Sequence, residues 1–371
     1  MGHIMGYADR WSAAPGDTIR FMVSALDGGD YEAHVVRLKQ PDAGPLATPF
    51  APEPVEAPCN GTYAGRAQSI PIGSLAVVPN HPVLSGTAGV TLVAYVWPTT
   101  PGRGRQAILG TWCEATRTGY GLELDEAGGL VLRAGTAALP TDVPLLAERW
   151  YCVAGTIDTV TGALTLSQAP VPGNGFHAER AVTVKGQGTL GGVENDGPLT
   201  FGAWQAGPAA GPSCWGGLAF TRHFNGRIDR PRLAGRALDP AAIATLAGGG
   251  MLPDAIDVLG AWDFSRGISG DTIFDIGPNR LHGVIVNQPT RAMRGHNWTG
   301  DYTDWRQAPD QYGAIHFHDD DLVDACWDAD FAFTVPAGLR SGVYAVRLDS
   351  GGFDYWMPFF VRPPRGTATS K

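Results

Sequence analysis

The segment from Ala219 to Gly248 constrains the fold more than any other, because it spells a strand, a turn and a capped helix in quick succession. Phe224, Ile228 and Leu233 read as the buried side of a strand, with Arg227, Asp229 and Arg230 expected to face water. Asn225 and Gly226 mark a turn or bulge on the way in, and Gly235 ends the strand. Asp239 before Pro240 is an N-cap with proline at the first helical position. Ile243 and Leu246 then put one apolar stripe on a short helix that closes at Gly248. Elsewhere the chain offers short alternating runs broken by turns. With 51 Gly and 29 Pro it is loop-rich, yet 44% apolar residues argue against disorder, and many short strands satisfy both facts. At 371 residues an all-β chain has room for two domains, each with its own core.

Several function classes fall away on charge and spacing. Charged residues make up only 17% of the chain and the net charge is -9, so no field exists to hold a phosphate backbone and no nucleic-acid partner is expected. No apolar run of about 18 residues occurs, so no membrane span is expected either. Met1 to Gly6 lacks the basic-then-apolar start of a secretory signal. The five cysteines, at 59, 113, 152, 214 and 326, are odd in number and scattered, which suits a reducing, cytoplasmic compartment. There is no nucleophile elbow and no His-Glu-x-x-His run, and Gly248-Gly249-Gly250 follows a helix instead of leading into one.

The cluster most like a site is Ala314 to Asp321. On a strand His316 and His318 share a face, which suits two imidazoles on one metal, and Asp319, Asp320 and Asp321 could add oxygens. The competing reading packs the two histidines at a domain junction and leaves the aspartates as a turn. Among the 11 tryptophans, Trp97, Trp150, Trp204 and Trp262 fall at core positions of strands. Trp112, Trp215, Trp298 and Trp305 lie in or near loops, where one could meet a ligand or a neighbouring domain.

The closing strand, turn and helix resemble the end of laminin-G-like, concanavalin-A-type jelly rolls. Gly89 to Pro98 resembles that family's early core strand and Ile108 to Gly110 its partner. Gly119 to Asp125 with Gly128-Gly129 reads as a hairpin, and Arg149 to Val153 with Thr161 to Leu166 resembles the family's Trp-containing hairpin. The run Leu259 to Phe264, Ile273 to Ile276 and His282 to Val284 resembles the pattern that usually opens such a domain, yet here it follows the closing helix. The jelly roll, over residues 61–292, is therefore expected in circularly permuted order. The resemblance also implies a possible Ca²⁺ site near the rim at Asp158 and Asp229, though two oxygens fall well short of six.

Outside it, Thr18 to Ser24 and Glu32 to Leu38 alternate and read as a hairpin through Asp27-Gly28-Gly29, and residues 40–62 read as a linker. Pro336 to Tyr344 resembles the run in immunoglobulin-like sandwiches where a tyrosine hydroxyl ties a corner. Neither end of the chain supplies a whole sandwich. The expectation is all-β, with the jelly roll inserted into a discontinuous immunoglobulin-like β-sandwich of residues 6–60 and 293–365, and a tail at 366–371.

Across residues 259–365 the text is more specific. Trp262-Asp263-Phe264, Gly277 to Gly283, Asn287 to Trp298, Tyr312 to Trp327 and Phe331 to Gly366 resemble the large subunits of the N,N-dimethylformamidases. Members of that family hydrolyse N,N-dimethylformamide to formate and dimethylamine. The resemblance implies a mononuclear iron held by tyrosines and a glutamate in a glutamine-amidotransferase-like α/β domain, and a small helical partner subunit. That domain is expected after Gly366, and the sequence stops at Lys371, so no iron ligand is carried over to any residue here. The expected role is thus a non-catalytic scaffold that contacts the catalytic domain and the small subunit, with no cofactor of its own. Two other readings stand beside it: a carbohydrate-binding jelly roll using Trp112 or Trp215, and a small metalloenzyme built on His316, His318, Asp319 and Asp320.

Overall fold

A computed structural model describes residues 4–39, 52–85, 87–172, 180–194, 196–211, 213, 215–248 and 256–367. Its contacts separate into two compact units, Pro71–Ala210 with Cys214–Ala325, and Met1–Ile70 with Gly211–Ser213 and Cys326–Lys371. Both are almost wholly β.

The larger unit is a jelly-roll sandwich. Its middle strand, Gly89–Pro98, pairs antiparallel with Tyr151–Asp158 on one side and Gly226–Ala234 on the other. The opposing layer carries Gln106–Gly110, Tyr120–Leu124 and Gly129–Ala134 in sequence. The two layers share one core: Leu92, Ala94 and Val96 from the first and Leu109, Leu122 and Leu132 from the second are each 0% exposed in one cluster. Their approach is close: a Cβ on Gly155 would sit 2.7 Å from Leu132 Cδ1 and 2.9 Å from Leu122 Cδ2, so these leucine methyls would have to move to admit it.

Val258–Asp263, Thr272–Asp275 and Gly283–Val286 enter between Gly226–Ala234 and the early strand Leu75–Val78. Asp275, 2% exposed, explains the signature around Trp262. Its carboxylate accepts the backbone N–H of Ala261, Gly277 and Leu281, each at 2.7 Å, while the Trp262 indole donates to Leu281 O at 2.8 Å. One carboxylate thus satisfies three donors that no ladder reaches.

The capped helix forms over Pro240–Gly248, with Asp239 Oδ1 accepting from Ala241 and Ala242 N–H at 2.9 Å each. Leu246 is fully buried and Ile243 packs beside it against Val93, Ala154 and Ala234, on the sheet face away from the main core. Ala314–Phe317, placed by sequence with the terminal sandwich, pairs here instead, with Thr290–Met293 on one side and Gly226–Ala234 on the other. The register puts Ile315 beside Ile228, and both are 0% exposed, so burial of the isoleucine sets the placement.

In the smaller unit Ile4–Ala8, Thr18–Ala25 and Phe331–Thr334 form one sheet. Ser12–Ala13, Phe353–Val361, Gly342–Ser350 and Tyr31–Leu38 form the other. The expected hairpin of the two early strands is therefore not made: they lie in different layers and face each other across Phe21, Val35, Phe333, Tyr344 and Phe359. Each strand buries one face, so the turn at Asp27 to Gly29 crosses the sandwich instead of doubling back. The tyrosine corner is present, Tyr344 Oη donating to Arg340 O at 2.6 Å.

Part of the expected linker is also structured. Glu53–Pro54 and Gly61–Tyr63 both pair with Tyr31–Leu38, and Asn60 bridges Val35 N–H and Val55 O. Residues 40–51 lie outside the described residues. Cys59, Cys113 and Cys152 are free thiols, whereas Cys326 is disulfide-bonded, which the scatter of cysteines did not announce. No described helix is long and apolar enough to cross a membrane.

Candidate functional site

Strand alternation builds the site on the outer face of the jelly roll. Val96, Ile228 and Ile315 lie side by side and point into the core, so their neighbours one residue away must point out. That places Trp97, Arg227 and His316 in one cross-strand row, and Cys152, Tyr95 and Asp229 in the next. Trp97 is half-buried, so it is not the core tryptophan that its strand position suggested; the same holds for Trp150, whereas Trp204 and Trp262 are fully buried.

Asp229 was expected to face water, and it is 1% exposed. The segment Gly295-His296 lies across it. His296 Nδ1 stands 2.6 Å from Asp229 Oδ2, the His296 backbone N–H donates to the same oxygen at 3.2 Å, and the imidazole stacks on Tyr95 with centroids 3.5 Å apart. A Cβ on Gly295 would meet Asp229 Oδ2 at 2.6 Å, so only glycine lets the backbone come this close.

Beside this contact opens a cleft of about 520 Å³ walled by Trp97, Trp150, Trp298, His296 and Pro172, with Glu148, Arg149, Arg227 and Arg294 as its charges. The Arg227 guanidinium lies 4.1 Å over the Trp97 ring and that of Arg294 lies 4.5 Å over Trp298. Trp150 stands edge-on to His296 at 6.4 Å. Burial, and then the neighbouring Arg294, push the Arg227 guanidinium below its usual range, and Glu148 opposes that.

The histidine cluster comes together in part. The His316 and His318 rings stack at 4.3 Å, and His318 Nδ1 lies 3.1 Å from Asp321 Oδ2. Asp319 is turned away, its Oδ2 lying 3.5 Å from Arg103, and Asp320 is exposed. Burial, then His318 and Arg227, push the His316 imidazole down to about 4. A cation beside it would meet the same desolvation and the same guanidinium. Among the described residues no group of three or more His, Cys, Asp or Glu could hold a metal ion.

Asp158 and Asp229 do not meet. Asp158 pairs opposite Gly89 and Asp229 opposite Tyr95, so six residues of strand, roughly 20 Å, separate their levels. Asp158 closes a turn by accepting Val160 and Thr161 N–H, which hold its carboxyl below the usual range.

Of the loop tryptophans, Trp112 is 3% exposed and packs on Trp204, whereas Trp215 is partly buried and packs against Leu75 and Val77. Sequence reasoning missed the most interconnected charge. Glu123 is 0% exposed and accepts from Arg105 twice, from Arg133 at 2.7 Å and from the Trp204 indole at 2.8 Å. Lying between Leu122 and Leu124, it reads as an outward position, and nothing in the linear text says that Trp204 covers it.

A sandwich of this topology, with one capped helix and an aromatic outer cleft, belongs to the jelly rolls, and residues 73–244 match the family of concanavalin A-like lectins/glucanases. Residues 290–371 match the family described as N,N-dimethylformamidase beta subunit-like, C-terminal. Over 99% of its length the chain is 38% identical to the N,N-dimethylformamidase beta subunit of Paracoccus aminophilus and 33% identical to that of an Alcaligenes species. It spans about half the length of these curated relatives, 50% of each. Among solved structures, a putative carbohydrate binding protein from Bacteroides ovatus is 15% identical with a TM-score of 0.40, covering 74% of this chain and 68% of that one. The chain is thus a relative of the dimethylformamidase beta subunit that carries a concanavalin A-like jelly roll.

Four tyrosines and, among the described residues, the one fully buried glutamate are already engaged, and so are not free to hold the iron that the resemblance implies. The hydroxyls of Tyr63, Tyr120, Tyr312 and Tyr344 each donate to a backbone carbonyl, and Glu123 is taken by two arginines and an indole.

Proposed function

We propose that this chain is the non-catalytic scaffold and interaction region of a dimethylformamidase-type amidohydrolase, an enzyme that cleaves N,N-dimethylformamide to dimethylamine and formate. The observation that carries the reading is similarity along 99% of this chain to subunits twice as long, combined with tyrosines and a buried glutamate already committed to structural bonds. On this reading the amide is cleaved, with the iron, on the half of the subunit that this chain does not span.

An exposed apolar strip supports this reading. On Phe353–Val361, Phe360 is 45% exposed, and it pairs across to Val343, 37% exposed, on an outer face that Pro358 continues. An apolar strip of this kind suits a neighbouring domain or subunit. We place the enzyme in the cytoplasm, where the thiols of Cys59, Cys113 and Cys152 stay reduced; the Cys326 disulfide is the feature that such a compartment acts against.

The test is direct. Purified residues 1–371, incubated with N,N-dimethylformamide, release no dimethylamine and hold no stoichiometric iron, whereas adding the remaining half of the subunit yields a complex that does both. Turnover by residues 1–371 alone would overturn the reading.

A further inference from the structure

Several arginines that lie against the fold are spent inside it. Arg105 and Arg133 bind Glu123, and Arg291 donates to five backbone carbonyls. Arg232, which burial pushes down to about 10, donates to Trp262 O and Pro231 O. Arg227 and Arg294 differ. They sit in the outer cleft, and neither makes a hydrogen bond or ion pair among the described residues; the Arg227 Nε is buried with no acceptor, as are those of Arg232 and Arg291, but those two place their other nitrogens on carbonyls and Arg227 does not. Burying a guanidinium donor without an acceptor is costly, and such a group in a cleft marks a position that a ligand completes.

What holds the two arginines is an indole under each, at 4.1 and 4.5 Å. A guanidinium stacked on a ring is fixed in place, yet the ring takes none of its in-plane N–H donors. Those donors are left to face an acceptor. Charge agrees: the chain carries a net -9, but the cleft holds Arg149, Arg227 and Arg294 against Glu148, while the nearby Asp229 gives its Oδ2 to His296. Its volume of about 520 Å³ suits a small ligand and not a peptide segment of any length. The remaining wall is Trp150, Pro172 and the His296 ring, a surface for the flat face of a ring.

We propose that this cleft binds a small ring-bearing carboxylate, the carboxylate received by Arg227 and Arg294 and the ring lying against Trp150 and His296. The site goes beyond the scaffold role and is independent of it. The ring is either an aryl group or a pyranose, and the probes below tell them apart.

The full 371-residue chain is titrated with benzoate, D-glucuronate and their uncharged counterparts, benzamide and methyl glucoside, followed by calorimetry and tryptophan fluorescence. At least one carboxylate should bind at least ten-fold more tightly than its neutral counterpart, and which one does so names the ring. Arg294 is exposed, so Arg294→Gln keeps the fold, confirmed by an unchanged unfolding midpoint, and should weaken that binding ten-fold or more. Glu148→Gln should tighten it. Arg306→Gln, which alters a guanidinium stacked on Trp305 outside the cleft, should leave it unchanged. Equal binding of charged and neutral probes, wild-type affinity in Arg294→Gln, or no saturation by either carboxylate up to about 0.1 M would each overturn the proposal.

Discussion

Glu123 shows how far a single side chain can depart from its linear surroundings. In sequence it is the polar residue between two core leucines; in space it anchors Arg105, Arg133 and Trp204 with no exposure at all. Removing it strands the Arg133 guanidinium and the Trp204 indole and leaves Arg105 with Glu114 alone, and breaking a buried pair costs about 3–5 kcal/mol. Glu123→Ala should therefore lower the unfolding free energy, read from urea titration, by an amount of that order, and a loss under about 1 kcal/mol would show the network to be solvated. His316 sets a pH dependence. Its folded pKa, about 4, lies below the ordinary 6.5, so the unfolded chain takes up a proton that the folded one refuses. Its contribution is fully present above pH 6.5 and is lost as the pH falls towards 4. Compared with His316→Gln, the wild type should lose on the order of 1 kcal/mol more across that window, because the partly exposed ring is screened by solvent. Asp229 and Trp97 were misplaced by sequence for the same reason as Glu123. Alternation tells which face a residue takes, but not what lies across that face, and Gly295-His296 arrives from 67 residues away.

Among elements, those closed by local rules were legible. Asp239, Pro240 and the apolar pair Ile243 and Leu246 named the helix, and its cap forms as the pattern requires. Asp239→Ala should cost about 1 kcal/mol, measured as a shift in thermal midpoint with the two-state slope unchanged. The same legibility holds for the Tyr344 corner and the hairpins around Gly128 and Gly162, where a positive-φ glycine sits at the turn. The early strands Thr18–Ala25 and Tyr31–Leu38 were read as a pair because they alternate and a glycine turn joins them. Both signals are equally true of two strands in opposite layers, and only the distant partners Phe331–Thr334 and Gly342–Ser350 decide. The outer strip on Phe353–Val361 carries the scaffold reading at this scale. Phe360→Asp should leave the isolated chain folded, since the ring contributes to no core cluster, and weaken its association with the rest of the subunit by ten-fold or more in a pull-down or calorimetric titration.

At the scale of the whole chain, the two units differ in how their strands are drawn from sequence, and this determines what each needs in order to fold. Every strand of the jelly roll falls between residues 71 and 325, including the late strands that close it between Leu75–Val78 and Gly226–Ala234. The smaller unit draws Thr18–Ala25 and Tyr31–Leu38 from the start and pairs them with Phe331–Thr334 and Gly342–Ser350 from the end, so neither half contains a complete layer. A half-sandwich would expose Phe21, Val35, Phe333 and Phe359 to water, and a few strands without a facing layer are not independently stable. Residues 71–325 expressed alone should therefore give a β-type circular dichroism spectrum, dispersed amide resonances and one cooperative unfolding transition. Residues 1–70 alone should remain unfolded, and mixing them with residues 326–371 should be the least that restores structure. A cooperative transition in residues 1–70 alone would mean that the early strands do form their own hairpin, as the glycine turn at Asp27 to Gly29 suggests, and that the cross-layer pairing is not what holds them.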